Sequence, residues 1–252
     1  MGSKERFSDR VDNYVKYRPD YPKEMIDFLY EDLGFSASST VVDMGSGTGI
    51  FSKLLLDRGS RVIAVEPNLE MRSAAEAQLE GHNHFTSVAG TAEGAPLESQ
   101  SADFVVAAQA FHWFDRGLAK LEFSRILKPY GKVVLIWNNR QADQSAFNQA
   151  YENILLKYGK DYTQVRHTNL HEDDFKEFFQ NGAYTKKTFA HQQRFDFDGL
   201  KGRLLSSSYI PLPGEWNHEA MLEELQTVFN QFNENGIVTF HYDTDIYFGE
   251  FK

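Results

Sequence analysis

Asp43 closes a short apolar run and stands two residues ahead of Gly45, Gly47 and Gly49, three glycines at alternate positions in VVDMGSGTGI. Glycines at a strand-to-helix turn let the backbone approach a ligand closely at the helix N-terminus, where free N–H groups gather. The spacing is Gly-x-Gly-x-Gly rather than the G-x-G-x-x-G of dinucleotide sites, and no Lys-Ser/Thr follows as a P-loop requires. An anion at Asp43 repels a pyrophosphate and attracts an ammonium. Further on, Glu66 ends RVIAVE, where a carboxylate can accept from both hydroxyls of a ribose. An amino acid and a ribose with no phosphate between them describe S-adenosylmethionine.

Such groups need alternating strands and helices to hold them. TVVDM reads as a short β-branched strand, and GIFSKLLLDRG as a helix stopped by Gly59. RVIAVE is the next strand, followed by a helix that Asn68 can cap and Gly81 ends. HFTSVAG, DFVVAAQA, a helix around Arg116 to Leu127, and GKVVLIW continue the alternation. Continuous apolar strands between amphipathic helices predict a doubly wound α/β domain with a parallel sheet covered on both faces.

The last third reads differently. A helix from about Gln144 to Tyr158 leads to TKKTFAHQQRFDFDG, strand-like through Phe195 and Phe197. IVTFHYDTDIYFG alternates, with Val238, Phe240, Tyr242, Ile246 and Phe248 on one face and Thr239, His241, Asp243 and Asp245 on the other. That pattern predicts an antiparallel C-terminal strand with one side in water. Between the two strands an insertion, at about 199–235, is expected over the sheet edge. The acidic HEDDFKEFF predicts a solvated helix face and no metal site.

At 252 residues, one domain is the expectation. The absence of cysteine excludes thiolate chemistry and fits a reducing, cytoplasmic location. A net charge of -10 disfavours nucleic acid as a partner. No apolar run is long enough to span a membrane, and MGSKERFSDR lacks a signal-peptide core. The oligomeric state has no signature.

In order over roughly residues 38–140, VVDMGSGTG, VIAVEPN, GTAEGAPLESQSADFVVAAQAFHWF and ILKPYGKVVLIW resemble the motifs of class I S-adenosylmethionine-dependent methyltransferases. FSDRVDNYVKYRPDYP together with AFHWFD resembles their small-molecule branch, which includes trans-aconitate methyltransferase-like and ubiquinone/menaquinone-biosynthesis-like proteins. The resemblance implies a Rossmann-like methyltransferase fold: a mostly parallel, seven-stranded sheet with an antiparallel C-terminal strand. It further implies a helical lid over 1–35, a cofactor core over 36–140, and a C-terminal part over 141–252 that carries the insertion.

By the same resemblance, Asp43 and the backbone around Gly45, Ser46 and Gly47 hold the methionyl end, and Glu66 holds the ribose. Pro67 and Asn68 border the adenine. At Thr91 the family usually carries an acid for the adenine amino group; here Thr91 or Glu93 takes that part, with Ala92 beside the ring. Gln109 falls where the family contacts the methionyl group. Tyr17 and Arg18, before Pro19, belong either to a lid, with Arg18 on a carboxylate and Tyr14 or Tyr17 over the methyl donor, or to an ordinary capping segment. His112 is either a base for a phenol or carbon acid, or packs with its aromatic neighbours.

Phe111, Trp113, Arg140 and Tyr209 are the candidates for the acceptor pocket, with Ser208 beside them. Arg140 faces either an anionic acceptor or water. The aromatic content of 14% favours an apolar or aromatic-walled pocket. Methyl transfer from a sulfonium asks the protein mainly to align the nucleophile and exclude water. Two other readings are an NAD-dependent oxidoreductase of Rossmann fold and a non-catalytic S-adenosylmethionine-binding module.

Overall fold

The computed structural model describes residues 11–142 and 145–251, without the side chains of Val11, Asp12, Tyr14 and His167. The first ten residues of the expected lid and the Tyr14 side chain therefore lie outside the described residues. Five parallel strands form the centre: β1 (Thr40–Met44), β2 (Arg61–Val65), β3 (Phe85–Val88), β4 (Ala102–Ala108) and β5 (Leu127–Arg140), ordered β3-β2-β1-β4-β5. β6 (Thr185–Phe195) and β7 (Val238–Glu250) complete the sheet, with β7 antiparallel to both β5 and β6. This is the predicted seven-stranded arrangement.

Because successive strand residues face opposite ways, each β-branched run feeds two layers. Val41, Val62, Val106 and Val134 meet Met25, Ile26 and Leu29 of α2 (Lys23–Glu31) and Phe51 and Leu55 of α3 (Ile50–Asp57). Leu79, just past α4 (Leu69–Gln78), joins them. On the other face Val42, Val105, Val133 and Leu135 pack on Ala119 and Phe123 of α5 (Arg116–Ile126).

A third cluster belongs to the C-terminal part. It joins α6 (Ala146–Tyr158), α7 (Tyr162–Val165), α9 (Phe197–Leu205) and α10 (His218–Phe232) to the first half of β7 through Tyr151, Leu204, Leu225 and Phe240. α8 (Glu172–Phe178), between α7 and β6, instead sends Phe175 and Phe178 into the α5 layer. Its acidic residues point outward as expected, and Asp174 pairs with Arg116 at 2.9 Å. The N-terminal α1 (Val11–Tyr17) lies against α9.

Two details correct the sequence expectations. Phe197 is helical: the Asp196 carboxylate accepts from the Gly199 N–H at 2.8 Å, caps α9 and ends the strand at Phe195. Along β7 the solvated face stops after Asp243. Asp245 is buried, accepting from Asn139 (2.8 Å), Thr188 (2.5 Å) and Lys186 (2.8 Å), side chains of the flanking strands β5 and β6. Among the described residues no helix is long and apolar enough to cross a membrane, and no cluster of His, Asp and Glu could hold a metal ion.

Candidate functional site

The carboxyl ends of β1, β4 and β5 open into two adjoining cavities of about 290 and 160 Å³, with Gly45, Ala108, Gln109 and Trp113 lining both. Ligands of open α/β sheets bind at this edge, where the strand order reverses between β1 and β4. The turn after β1 is drawn tightly over it. The Gly45 N–H donates to the Val65 carbonyl at 2.9 Å, and a Cβ on Gly45, whose φ is +71°, would stand 2.7 Å from Ala110 Cβ. Gln109, leaving β4, takes the left-handed conformation without being glycine (φ +61°) and donates its N–H to the Ile136 carbonyl at 2.8 Å. Such backbone is costly and concentrates at functional sites.

Asp43 is 1% exposed. One of its oxygens accepts from the Ser52 hydroxyl at 2.6 Å; the other, Oδ1, is buried with no hydrogen-bond partner. Burial pushes this carboxyl up to about 7, with the Ser52 bond opposing and the Glu66 charge reinforcing. A cation at Oδ1 would satisfy the orphaned acceptor and return the group to its ionised state. Glu66 lines the smaller cavity and is anchored by backbone, one oxygen accepting from Gly47 N–H and the other from Asn68 N–H, both at 2.9 Å. Burial raises it as well, and those two bonds oppose the rise. Each oxygen keeps acceptor capacity for a hydroxyl donor.

Pro67, Thr91, Ala92 and Glu93 line the same cavity with Asn68, Met71 and Phe114. Glu93 accepts from the Asp115 N–H at 2.9 Å, which ties the Thr91–Glu93 side of this cavity to the start of α5. Ser46, Arg18, His112 and Trp113 line the larger cavity, and Arg140, Ser208 and Tyr209 meet them there. Trp137 Nε1–H donates to His112 Nδ1 at 3.4 Å, which leaves the proton of a neutral ring on Nε2.

Two candidates fall elsewhere. Phe111 belongs to the core and not to the acceptor pocket: it is fully buried, with ring centres 4.5 Å from Phe178 and 6.1 Å from Trp137. It opens a single 3-10 turn, Phe111–Trp113, in which only the second and third residues reach the cleft. Tyr17 lines neither cavity. Its ring packs on α9, where a Cβ on Gly202 would come within 2.1 Å of it. Next to it Arg18 donates to the Ser206 carbonyl at 3.0 Å, tying the N-terminal segment to the end of α9.

The acceptor side also contains residues that the motifs did not single out. Arg140 pairs with Glu152 at 2.8 Å and donates to the Tyr162 hydroxyl at 3.1 Å, while Tyr162 donates to the second Glu152 oxygen at 2.5 Å. Burial holds the Tyr162 phenol well above its usual range and pushes Tyr151 up to about 12, so both stay protonated. Arg203 of α9, 4% exposed, completes this wall. In the sequence it is one of two cations in LKGRLL.

Residues 42–135 match a family described as a methyltransferase domain. An uncharacterised methyltransferase of Mycobacterium tuberculosis is 40% identical over 134 residues, 53% of this chain and 52% of that protein. A methyltransferase-like protein of Schizosaccharomyces pombe is 33% identical over 156 residues, 62% of this chain and 59% of its own length. The chain thus spans about half the length of these curated relatives. Among solved structures, the YcgJ protein of a Bacillus superposes with a TM-score of 0.58 at 19% identity, over 91% of this chain and 98% of its own. A candidate methyltransferase of an antibiotic biosynthesis pathway from Anabaena variabilis gives 0.65 at 20% identity, over 92% and 98%. Residues 42–135 thus match a methyltransferase domain, and the solved structures share the Rossmann-like fold that carries them.

Proposed function

We propose that the whole chain is an S-adenosylmethionine-dependent methyltransferase acting on a small molecule, by in-line transfer to an O, N or C acceptor. The observation that carries this is the orphaned Oδ1 of Asp43, buried beside a glycine turn too tight for a Cβ and across from the backbone-anchored Glu66. Asp43 then holds the ammonium of the methionyl group and Glu66 the ribose hydroxyls. Pro67, Thr91, Ala92 and Glu93 border the adenine, Gln109 and the Ser46 backbone border the methionyl chain, and Arg18 receives its carboxylate. The donor, when bound, supplies a methyl group on a positively charged sulfur.

This chain's residues provide position and dryness. The N-terminal segment is held down as a lid: Asn138 donates to the Asp20 carbonyl at 3.0 Å, and the Gln193 amide reaches the Tyr17 carbonyl at 3.4 Å. Tyr17 acts in that lid through its packing on α9. Trp113 and Tyr209 wall the acceptor space, and His112 orients the acceptor with its Nε2–H. A small acceptor is supported by the cavity's size and by the acidic net charge, which opposes a nucleic-acid target. The small-molecule branch reading rests on FSDRVDNYVKYRPDYP and AFHWFD.

Calorimetric titration with S-adenosylmethionine and NAD in parallel tests the cofactor; binding of NAD alone overturns the reading. Labelled methyl transfer from S-adenosylmethionine across a broad small-molecule panel tests the reaction. Cofactor binding without transfer to any acceptor would favour a binding module instead.

A further inference from the structure

The cleft's charges do not cancel. Arg140 is matched by Glu152, and on the proposed reading Asp43 and Arg18 are matched by the two ends of the methionyl group. Arg166 and Arg203 remain; Arg166 is half-exposed and reaches Asn169 Oδ1 at 3.4 Å, whereas Arg203 is buried. Arg203 lines the larger cavity and, among the described residues, has no carboxylate within ion-pair distance. Nη1 makes a long contact of 3.4 Å with the Ser207 hydroxyl, and Nε is buried without an acceptor.

The groups that act on Arg203 electrostatically are Tyr242, Tyr151, Tyr209 and the like-charged Arg140. Two of those hydroxyls, Tyr151 and Tyr242, are themselves buried with no hydrogen-bond partner, as is Arg140 Nε. Unused donors therefore surround Arg203 behind the cavity lining, where the cation itself is buried. A buried charge without a counter-charge is strongly unfavourable, so this arrangement suits a ligand that brings one.

We infer that Arg203 is the anion-recognising residue of the acceptor site, and that the acceptor carries a single carboxylate which the Arg203 fork holds beside Arg140 and Tyr209. A buried guanidinium fork pairs with a planar carboxylate through two parallel N–H···O bonds. The inference rests on the methyltransferase reading for the word acceptor; the anion site itself does not.

The full chain, with and without S-adenosylhomocysteine, is titrated with benzoate, cinnamate, salicylate and crotonate, each against its primary amide, and with inorganic phosphate. At least one acid is expected to bind ten-fold or more tightly than its amide. Arg203→Met removes that preference, weakening the acid by about 30-fold or more while leaving the amide and S-adenosylmethionine unchanged; Arg203→Lys retains part of it. The ligand-free Arg203→Met chain is also expected to melt a few degrees higher than wild type, since an unpaired buried charge is gone, whereas an arginine serving only structure would leave it melting lower.

No acid preferred over its amide, a preference that survives Arg203→Met, or phosphate bound more tightly than every acid would each overturn the assignment. Failure of S-adenosylmethionine to bind wild type would sink the methyltransferase reading separately, and the acid-against-amide comparison would still decide the anion site.

Discussion

In the half of the cleft built by the glycine turn, the buried charges are the carboxylates of Asp43 and Glu66, held by Ser52 and by two backbone N–H groups. In the half built by the end of β5 and the C-terminal helices they are the guanidiniums of Arg140 and Arg203, set among tyrosines. Similar burial with opposite sign makes the two halves selective for opposite ligand charges. The first half is also rigid by construction, since its acids are fixed by neighbouring backbone. The second depends on side chains brought together from β5, α6, α7 and α9.

Substitutions that spoil one half should leave the other intact. Glu152→Gln strands Arg140 in the second half and should cost about 3–5 kcal/mol of stability, read by denaturant unfolding, with S-adenosylmethionine affinity nearly unchanged. Glu66→Gln places an amide where two backbone donors need acceptors; cofactor binding should weaken by about 1.5–3 kcal/mol in calorimetry, while Arg203 keeps its anion preference. Gly45→Ala puts a Cβ against Ala110 at positive φ and should cost about 1–3 kcal/mol, divided between stability and cofactor affinity. His112→Asn should lower the turnover rate less than ten-fold, because the Trp137 bond already holds the ring in its donor tautomer; a loss of the size expected for a general base, about 10²–10⁴-fold, would contradict that role.

The same contrast explains what the sequence made legible. Asp43, Gly45, Ser46 and Gly47 sit on one turn, and Glu66 ends the neighbouring parallel strand, so short-range spacing already encodes their geometry. The alternation of strands and helices likewise carried the sheet as far as its antiparallel β7. Arg203 has no such signal, because it meets Arg140 only after the insertion folds over the sheet edge. Phe111 was legible as an aromatic near the cleft but not as core, since a 3-10 turn sends adjacent rings to different sides. Asp245 looked solvated because alternation along one strand cannot show the side chains that β5 and β6 bring to it.

The central claim is that Asp43 is the cofactor's ammonium site, and its protonation tests that claim most directly. Folded Asp43 holds its proton up to about pH 7, so its contribution to stability is full below the ordinary carboxylate range and is lost as pH rises through 7. Cofactor binding has the opposite sign, because the ammonium needs the ionised carboxylate. Calorimetric affinity for S-adenosylmethionine should therefore rise between about pH 5.5 and 7, by up to roughly ten-fold per pH unit, in wild type. Asp43→Asn should bind weakly at every pH and show no such rise, while its ligand-free form gains stability at pH 8. Equal affinity and an equal pH profile in the two proteins would contradict the account.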